Sequence, residues 1–373
     1  MSAFPGVPVE LPKFGIKLKN DAMLPRISPR RLSPAMEGMV REEVDSLLEL
    51  GVIRESSSRY ASPIVMVLSP EGKRRMCVDF RVLNDATEPM VYPMRNMKAL
   101  VNRLQGKKIF ATMDLFKGYH QLLVADSTIP LLAFCVPWGL YEYVRMPFGP
   151  KNGCAVFQQA MDHVLADLLF TVCELFVDDL IVYGDTMDEL TMNIRTVLER
   201  MKKVGLRVRG SKCQFGVTCI SYLGFEITRD GYRMTAKRKE AINKIAVPKN
   251  RKELRSFVGM INYFHDFVPN FSVTCKPLFA AATGKTALVW SDELNTVFEL
   301  VKIALLESRL LFFIDYEYPI VLRTDASNVG LGGVLFQVVS GKHRIVTYLS
   351  KAFDAVQRRW ATVEQEAYAI YYC

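Results

Sequence analysis

The segment LFVDDLIVYG, residues 175–184, sets two adjacent carboxylates, Asp178 and Asp179, inside an otherwise apolar, strand-forming run. An unpaired buried carboxylate costs several kcal/mol, so a chain that keeps two side by side must supply cations, a tight turn, or both. On its own, an acidic pair at a turn is more often solvated loop. The rest of the chain has to decide between these readings.

The surface charge leans toward the first. The chain has 373 residues, a formal net charge of +9 and a pI near 9.1, a field that favours polyanions such as nucleic acid or an anionic membrane. Its length points to two or three domains, and a composition that is half apolar is globular rather than disordered. The eight cysteines, Cys77, Cys135, Cys154, Cys173, Cys213, Cys219, Cys275 and Cys373, form no CxxC pair and have only four histidines to assist them. Zinc is therefore not expected, and reduced thiols are. The opening MSAFPGVPVELPKFG lacks the apolar stretch of a signal peptide, and LADLLFTVCELFVDD is broken by Asp167 and Glu174. A soluble, intracellular chain of cytoplasm or nucleus is the expectation, with no membrane partner.

Local patterning gives interleaved helices and strands, an α/β or α+β chain. Residues 1–32 read as an extended arm, followed by a helix capped by Ser33, begun by Pro34 and ended by Gly51, with Val40, Val44, Leu47 and Leu48 on one face. ASPIVMVLSPEGKRRMCVDFR reads as a hairpin around a Ser-Pro-Glu-Gly turn. A short helix near Met94–Leu104 precedes the strand IFATMD, and Ala155–Leu169 suits a core helix. LFTVCELFVDDLIVYG suits two strands folded back at the acidic pair. Thr186 and Glu189 have capping-box spacing for a helix whose face is Leu190, Ile194, Val197, Met201 and Val204, and ISYLGFEI follows as one strand. From about residue 236 short helices dominate, and from about 316 strands return before a closing helix, WATVEQEAYAIYYC.

Asp114 ends the apolar run of IFATMD just as Asp178 ends its own. Two strand-end aspartates brought together make an oxygen-only cluster, the ligand set that Mg2+ prefers. Two such ions can activate an attacking hydroxyl and steady a leaving pyrophosphate.

The ordered set MCVDFRVLN, MDLFKGYHQ, MPFGPKNGCAVFQ, FVDD and YLGFEI resembles the reverse transcriptase of Gypsy-like LTR retrotransposon Pol polyproteins, across roughly residues 25–235. Downstream, ELRSFVGMINYFHDFVPNFS and LRTDASNVGLGGVLFQ resemble that family's connection region and the opening of its RNase H. The resemblance implies an α+β, right-hand polymerase of fingers, palm and thumb, then a helical connection and an incomplete RNase H-like α/β domain. The expected boundaries are 1–24 for an N-terminal arm, 25–235 for fingers and palm, 236–315 for thumb and connection, and 316–373 for the RNase H-like part.

It further implies RNA-directed DNA polymerase activity on an RNA or DNA template with its primer, using deoxynucleoside triphosphates and Mg2+, with Mn2+ as a substitute. Asp114 and Asp178 would ligate both metals, with Asp179 more peripheral. Tyr119 would sit under the sugar and exclude a 2′-hydroxyl, and Arg75 would contact the triphosphate. Lys212 would donate a proton to the pyrophosphate. Phe148, Gly149 and Asn152 would line nucleotide and template, and Leu223, Gly224 and Phe225 would grip the primer. Ser69 and Pro70 stand where the family carries paired lysines, with Lys73 and Arg74 across the turn, and Pro150–Cys154 departs from the family's Leu-Thr-Asn-Ala-Pro stretch. These departures motivate an alternative, a non-catalytic nucleic-acid-binding remnant. Asp325 and Glu366 match the first two acids of an RNase H, and with the chain ending at Cys373 the expectation is a truncated domain that does not cleave.

Overall fold

The computed structural model of the chain describes residues 11–20, 22–68, 74–284 and 287–373. Ser69, Pro70 and Lys73 of the expected hairpin turn, and the first ten residues of the expected arm, lie outside the described residues. The chain gathers into two compact units, one comprising the residues up to Met97 with Ile109–Val217, the other Lys98–Lys108 with Thr218–Cys373. Among the described residues, no helix is long and apolar enough to cross a membrane.

In the first unit, the helix Pro34–Glu49 begins where the Ser33 hydroxyl accepts from the Met36 amide, and it buries Val40, Val44 and Leu47. A five-stranded sheet runs in the order Ile53–Glu55, Gly139–Tyr143, Ala133–Val136, Ser62–Leu68, Arg74–Val78. Its strands pair antiparallel except Ser62–Leu68 with Ala133–Val136. The strands 133–136 and 139–143 carry no turn or alternation strong enough to announce them, because both are buried for most of their length.

The second sheet of this unit positions the acidic residues. Its order is Cys173–Phe176, Asp179–Gly184, Ile109–Asp114, Gln214–Val217, all antiparallel. The helix Met187–Lys203 packs on its two middle strands through Leu190, Val197 and Met201, which are buried. The Thr186 hydroxyl accepts from the Glu189 amide, while the Glu189 carboxylate accepts from the Asp185 amide, one residue earlier than an ideal capping box. The helix Gly153–Leu165 contributes Phe157, Ala160, Met161 and Val164 to the same core. Each such side chain, taken out of water, stabilises the unit by about 1.5–3 kcal/mol. The acids therefore stand on a sheet clamped by a fully buried underside.

The second unit opens with a correction. ISYLGFEI is not one strand: Cys219–Tyr222 and Phe225–Thr228 pair antiparallel, with Tyr222 opposite Phe225. Leu223 and Gly224 form the turn, with φ of 51° and 87°. Positive φ at both central residues is the twist-matched way to close a two-residue hairpin, and the glycine was the signal for it. Gly231–Met234 and Leu311–Phe312 complete this sheet. Helices Ala236–Asn243, Arg251–Tyr263, Phe271–Thr274, Lys276–Thr283 and Asp292–Leu306 follow, and then an antiparallel sheet of Ile320–Ser327, Gly330–Val339 and Lys342–Ala352. The last helix, Thr362–Tyr372, packs on Ile320–Ser327.

Candidate active site

The strands Cys173–Phe176 and Asp179–Gly184 pair with Phe176 opposite Asp179, which leaves Val177 and Asp178 as a two-residue turn. Val177 has φ of 55°, a left-handed conformation that costs a β-branched residue about 1–3 kcal/mol. On the other side of Asp179, the register sets it directly opposite Asp114. Sheet pairing and the turn thus bring all three expected aspartates to one edge.

Their electrostatics follow. Asp178 Oδ1 is buried and has no hydrogen-bond partner. Burial, then the charges of Asp179 and Asp114, push the Asp178 carboxyl up to about 6. Asp179 reaches solvent, yet the surrounding protein and the Asp114 charge still raise it. Asp114 faces two cations, with Arg209 Nε at 3.9 Å from its Oδ2 and Lys212 Nζ at 4.0 Å from its Oδ1. Both cations are carried by the segment after Met187–Lys203, and the Arg209 amide donates to the Asp114 carbonyl at 2.7 Å. Gly118 closes the floor: a Cβ there would lie 2.9 Å from Asp178 Oδ1 and 3.3 Å from Phe157 Cζ.

Among the described residues, no three His, Cys, Asp or Glu side chains converge into a closed metal cage. Mg2+ takes one or two protein carboxylates and completes its octahedron with water and substrate phosphate. The donor set is all oxygen, and the orphaned Asp178 Oδ1 is an acceptor in want of a cation. The residues present fit a divalent ion.

Around this edge the other expected residues separate. Tyr119 lies in the short turn Gly118–Gln121, buried, with its ring stacked on Phe157 at 5.1 Å and tilted against Phe148 at 4.5 Å. Its hydroxyl is 2.9 Å from Cys154 Sγ, and burial, followed by Cys154, holds its pKa far above the usual phenol range. Phe148 is 57 % exposed, beside this ring. Gly149 has φ of 107°, and its carbonyl accepts from Asn84 Nδ2. Asn152 is buried with its amide already used: Nδ2 donates to the Glu88 carbonyl and Oδ1 accepts from the Met90 amide. Arg75 is exposed on the strand Arg74–Val78, opposite Val67.

The second unit holds the remaining candidates. Leu223 and Gly224 are the hairpin turn, and the Leu223 carbonyl accepts from Tyr263 Oη at 3.1 Å. Phe225 is buried among Tyr232, Tyr263, Phe264 and Phe267, so its side chain is core. Asp325 lies on Ile320–Ser327, and the neighbouring Ala326 amide donates to Glu366 Oε1 at 3.3 Å, which brings the two acids to one locality.

Arg209, beside Asp114, escaped the sequence reading, and so did two further residues. Gly118 was hidden in a Gly-Tyr-His run whose close approach no periodicity reveals. Gln158 was visible as an amide among Phe157, Ala160 and Met161 on an apolar helix face, a pattern that asks for a buried partner.

A sheet edge of strand-end carboxylates, bordered by cations and an aromatic shelf, defines a polymerase palm. Comparison with known proteins agrees. Residues 67–227 match the family of reverse transcriptases (RNA-dependent DNA polymerases), and residues 290–373 match the RNase H-like domain found in reverse transcriptase. The chain is 36 % identical over 351 residues to the retrovirus-related Pol polyprotein from transposon opus of Drosophila melanogaster, covering 90 % of this chain and 35 % of that protein. To the Pol polyprotein from transposon gypsy of the same species it is 31 % identical over 362 residues, covering 91 % and 34 %. With the transposon Tf2-3 polyprotein of Schizosaccharomyces pombe it shares 29 % over 364 residues, 97 % and 27 % of the two chains. The chain spans about a third of the length of these relatives.

The foamy viral protease-reverse transcriptase, solved in complex with dsDNA, superposes with a TM-score of 0.82 at 25 % identity, over 97 % of this chain and 76 % of that one. The same protein with an RNA/DNA hybrid gives 0.77 at 23 %, over 97 % and 49 %. The fold is that of a reverse transcriptase followed by an RNase H-like domain. The chain belongs to the retrovirus-related Pol polyproteins of LTR retrotransposons. Enzymes of the reverse transcriptase family depend on divalent metal.

Proposed function

We propose that the chain extends a primer 3′-end with deoxynucleotides on an RNA or DNA template, as an RNA-directed DNA polymerase dependent on Mg2+, with Mn2+ able to replace it. The observation that carries this reading is the carboxylate edge, in which Asp114 faces Asp179 in register and Asp178 Oδ1 is buried without a partner. Asp178 and Asp114 would hold the metal, with Asp179 beside them. When bound, divalent ions supply the Lewis acidity that lowers the pKa of the attacking hydroxyl and neutralises the leaving pyrophosphate.

The chain's own groups do the positioning. Lys212, 4.0 Å from Asp114, would give a proton to the leaving pyrophosphate. Tyr119, packed against Phe157 and Phe148, would make a rigid shelf for the sugar and exclude a 2′-hydroxyl. Phe148 and Gly149 line the nucleotide, Asn152 holds the 88–90 segment behind them, and Arg75 meets the triphosphate. The Leu223-Gly224 turn, seated on Phe225, is the primer contact. We assign fingers and palm to residues 25–235, thumb and connection to 236–315, and the RNase H-like part to 316–373, with 1–24 as an arm. Asp325 and Glu366 are its residual acidic pair. As a polymerase drawing on deoxynucleoside triphosphates, the chain would act in the cytoplasm or nucleus.

The test is extension of a labelled DNA primer on an RNA template with dNTPs and Mg2+, expected to proceed and to stop on chelation. Absence of incorporation at every metal concentration, by a folded chain that still binds primer–template, would assign it instead to the non-catalytic binding class.

A further inference from the structure

The acidic turn is held in place by a chain of polar groups that none of the roles above employs. Gln158 is 0 % exposed, on the helix Gly153–Leu165, and its amide is engaged at both ends. Gln158 Oε1 accepts from the Val177 amide at 2.8 Å, and Gln158 Nε2 donates to Asp162 Oδ1 at 2.8 Å. Asp162 Oδ1 also accepts from Arg95 Nη2, and Asp162 Oδ2 accepts from Tyr92 Oη at 2.7 Å. Arg95 Nη1 returns to the sheet, donating to the Leu175 carbonyl at 2.8 Å. The network therefore grips the acidic hairpin at two backbone points, Leu175 and Val177, on either side of Phe176.

Val177 is the residue that needs holding. It is β-branched, it has φ of 55°, and it immediately precedes Asp178. Left-handed backbone at a valine persists only where its surroundings determine it. Relaxation of Val177 would swing Asp178 away from its place against Gly118. We infer that Gln158 is a positioning residue of the site: through the Val177 amide it fixes the left-handed turn that presents Asp178 to the metal. This rests on the polymerase reading for its purpose, though not for its geometry.

The choice of side chain follows from the network. An amide can accept from Val177 and donate to Asp162 at once. Glutamate could accept from Val177 but would set a second carboxylate against Asp162, and leucine would leave the Val177 amide unpaired. Glycine at 177 would adopt positive φ without assistance.

The experiment titrates Mn2+ into the full chain by calorimetry, for the native protein, Gln158→Glu, Gln158→Leu, Val177→Gly and the double variant Gln158→Leu/Val177→Gly, with melting curves for each. Loss of a group that orients a metal ligand weakens binding by about tenfold or more. Both Gln158 variants should show that loss with the helix still folded, and the double variant should recover most of it. Primer extension should show a lower kcat with an unchanged dNTP KM for Gln158→Glu. Native Mn2+ affinity in both Gln158 variants would overturn the inference, as would failure of Val177→Gly to rescue Gln158→Leu. A native chain that binds Mn2+ with this pattern yet incorporates no nucleotide would sustain the positioning role and refute the polymerase reading.

Discussion

Replacing Asp178 with asparagine should make the metal-free chain more stable near neutral pH while abolishing nucleotide incorporation. The Asp178 carboxyl titrates at about 6 in the fold, against an ordinary 3.8. The folded state thus holds this proton more tightly than the unfolded state does. Unfolding releases it between pH 3.8 and about 6, so stability falls as pH rises through that window and stays lower above it. The full shift would correspond to about 3 kcal/mol, and partial solvation of the pair reduces the expected effect to about 1–2 kcal/mol. Asp178→Asn removes the charge, so the gain should be absent at pH 4 and complete by pH 7. For a unit of this size it corresponds to a rise in melting temperature of about 2–8 °C. Thermal melts from pH 4 to 8, with and without Mg2+, are the assay. A hundredfold excess of ion over its Kd should stabilise the native chain by about 2.7 kcal/mol and the variant by much less. Parallel pH profiles for the two proteins would refute the claim that this carboxylate is held at a cost for the sake of a cation.

Three further outcomes follow. Gly118→Ala places a Cβ 2.9 Å from Asp178 Oδ1, so the carboxylate must rotate, and Mn2+ affinity measured by calorimetry should fall about tenfold with little change in melting temperature. Tyr119→Ala removes the ring between Phe157 and Phe148, and single-nucleotide incorporation should show preference for dNTP over rNTP reduced by tenfold or more, because a wall rather than a hydrogen bond enforces it. Primer–template affinity in filter binding should fall steeply between about 50 and 200 mM salt, as phosphate contacts release counterions, and a flat profile would contradict a backbone-tracking surface.

Much of this was legible from residue order. Asp114 and Asp178 stood out because each interrupts an apolar run with a carboxylate, and the helices at 34–49 and 187–203 announced themselves by caps and period. What stayed hidden depends on approach between distant segments. Nothing local tells that Gly118 faces Asp178, that the Tyr119 hydroxyl meets Cys154, or that Gln158 reaches across 19 residues to the Val177 amide. The Leu223-Gly224 turn was missed for a different reason: apolar residues continue through it, and the leucine at φ of 51° is a conformation that propensity argues against. Asn152 shows a further limit, since the resemblance singled it out but the commitment of its amide to residues 88–90 was not readable.

The central claim is that Asp178 serves metal-dependent synthesis. It is tested most directly by single-nucleotide incorporation on an RNA template with Mg2+, comparing the native chain with Asp178→Asn at matched folding. The account predicts extension by the native chain and at least a thousandfold loss in the variant, on the order expected when a metal-borne transition-state interaction disappears. Equal incorporation by the two would contradict it.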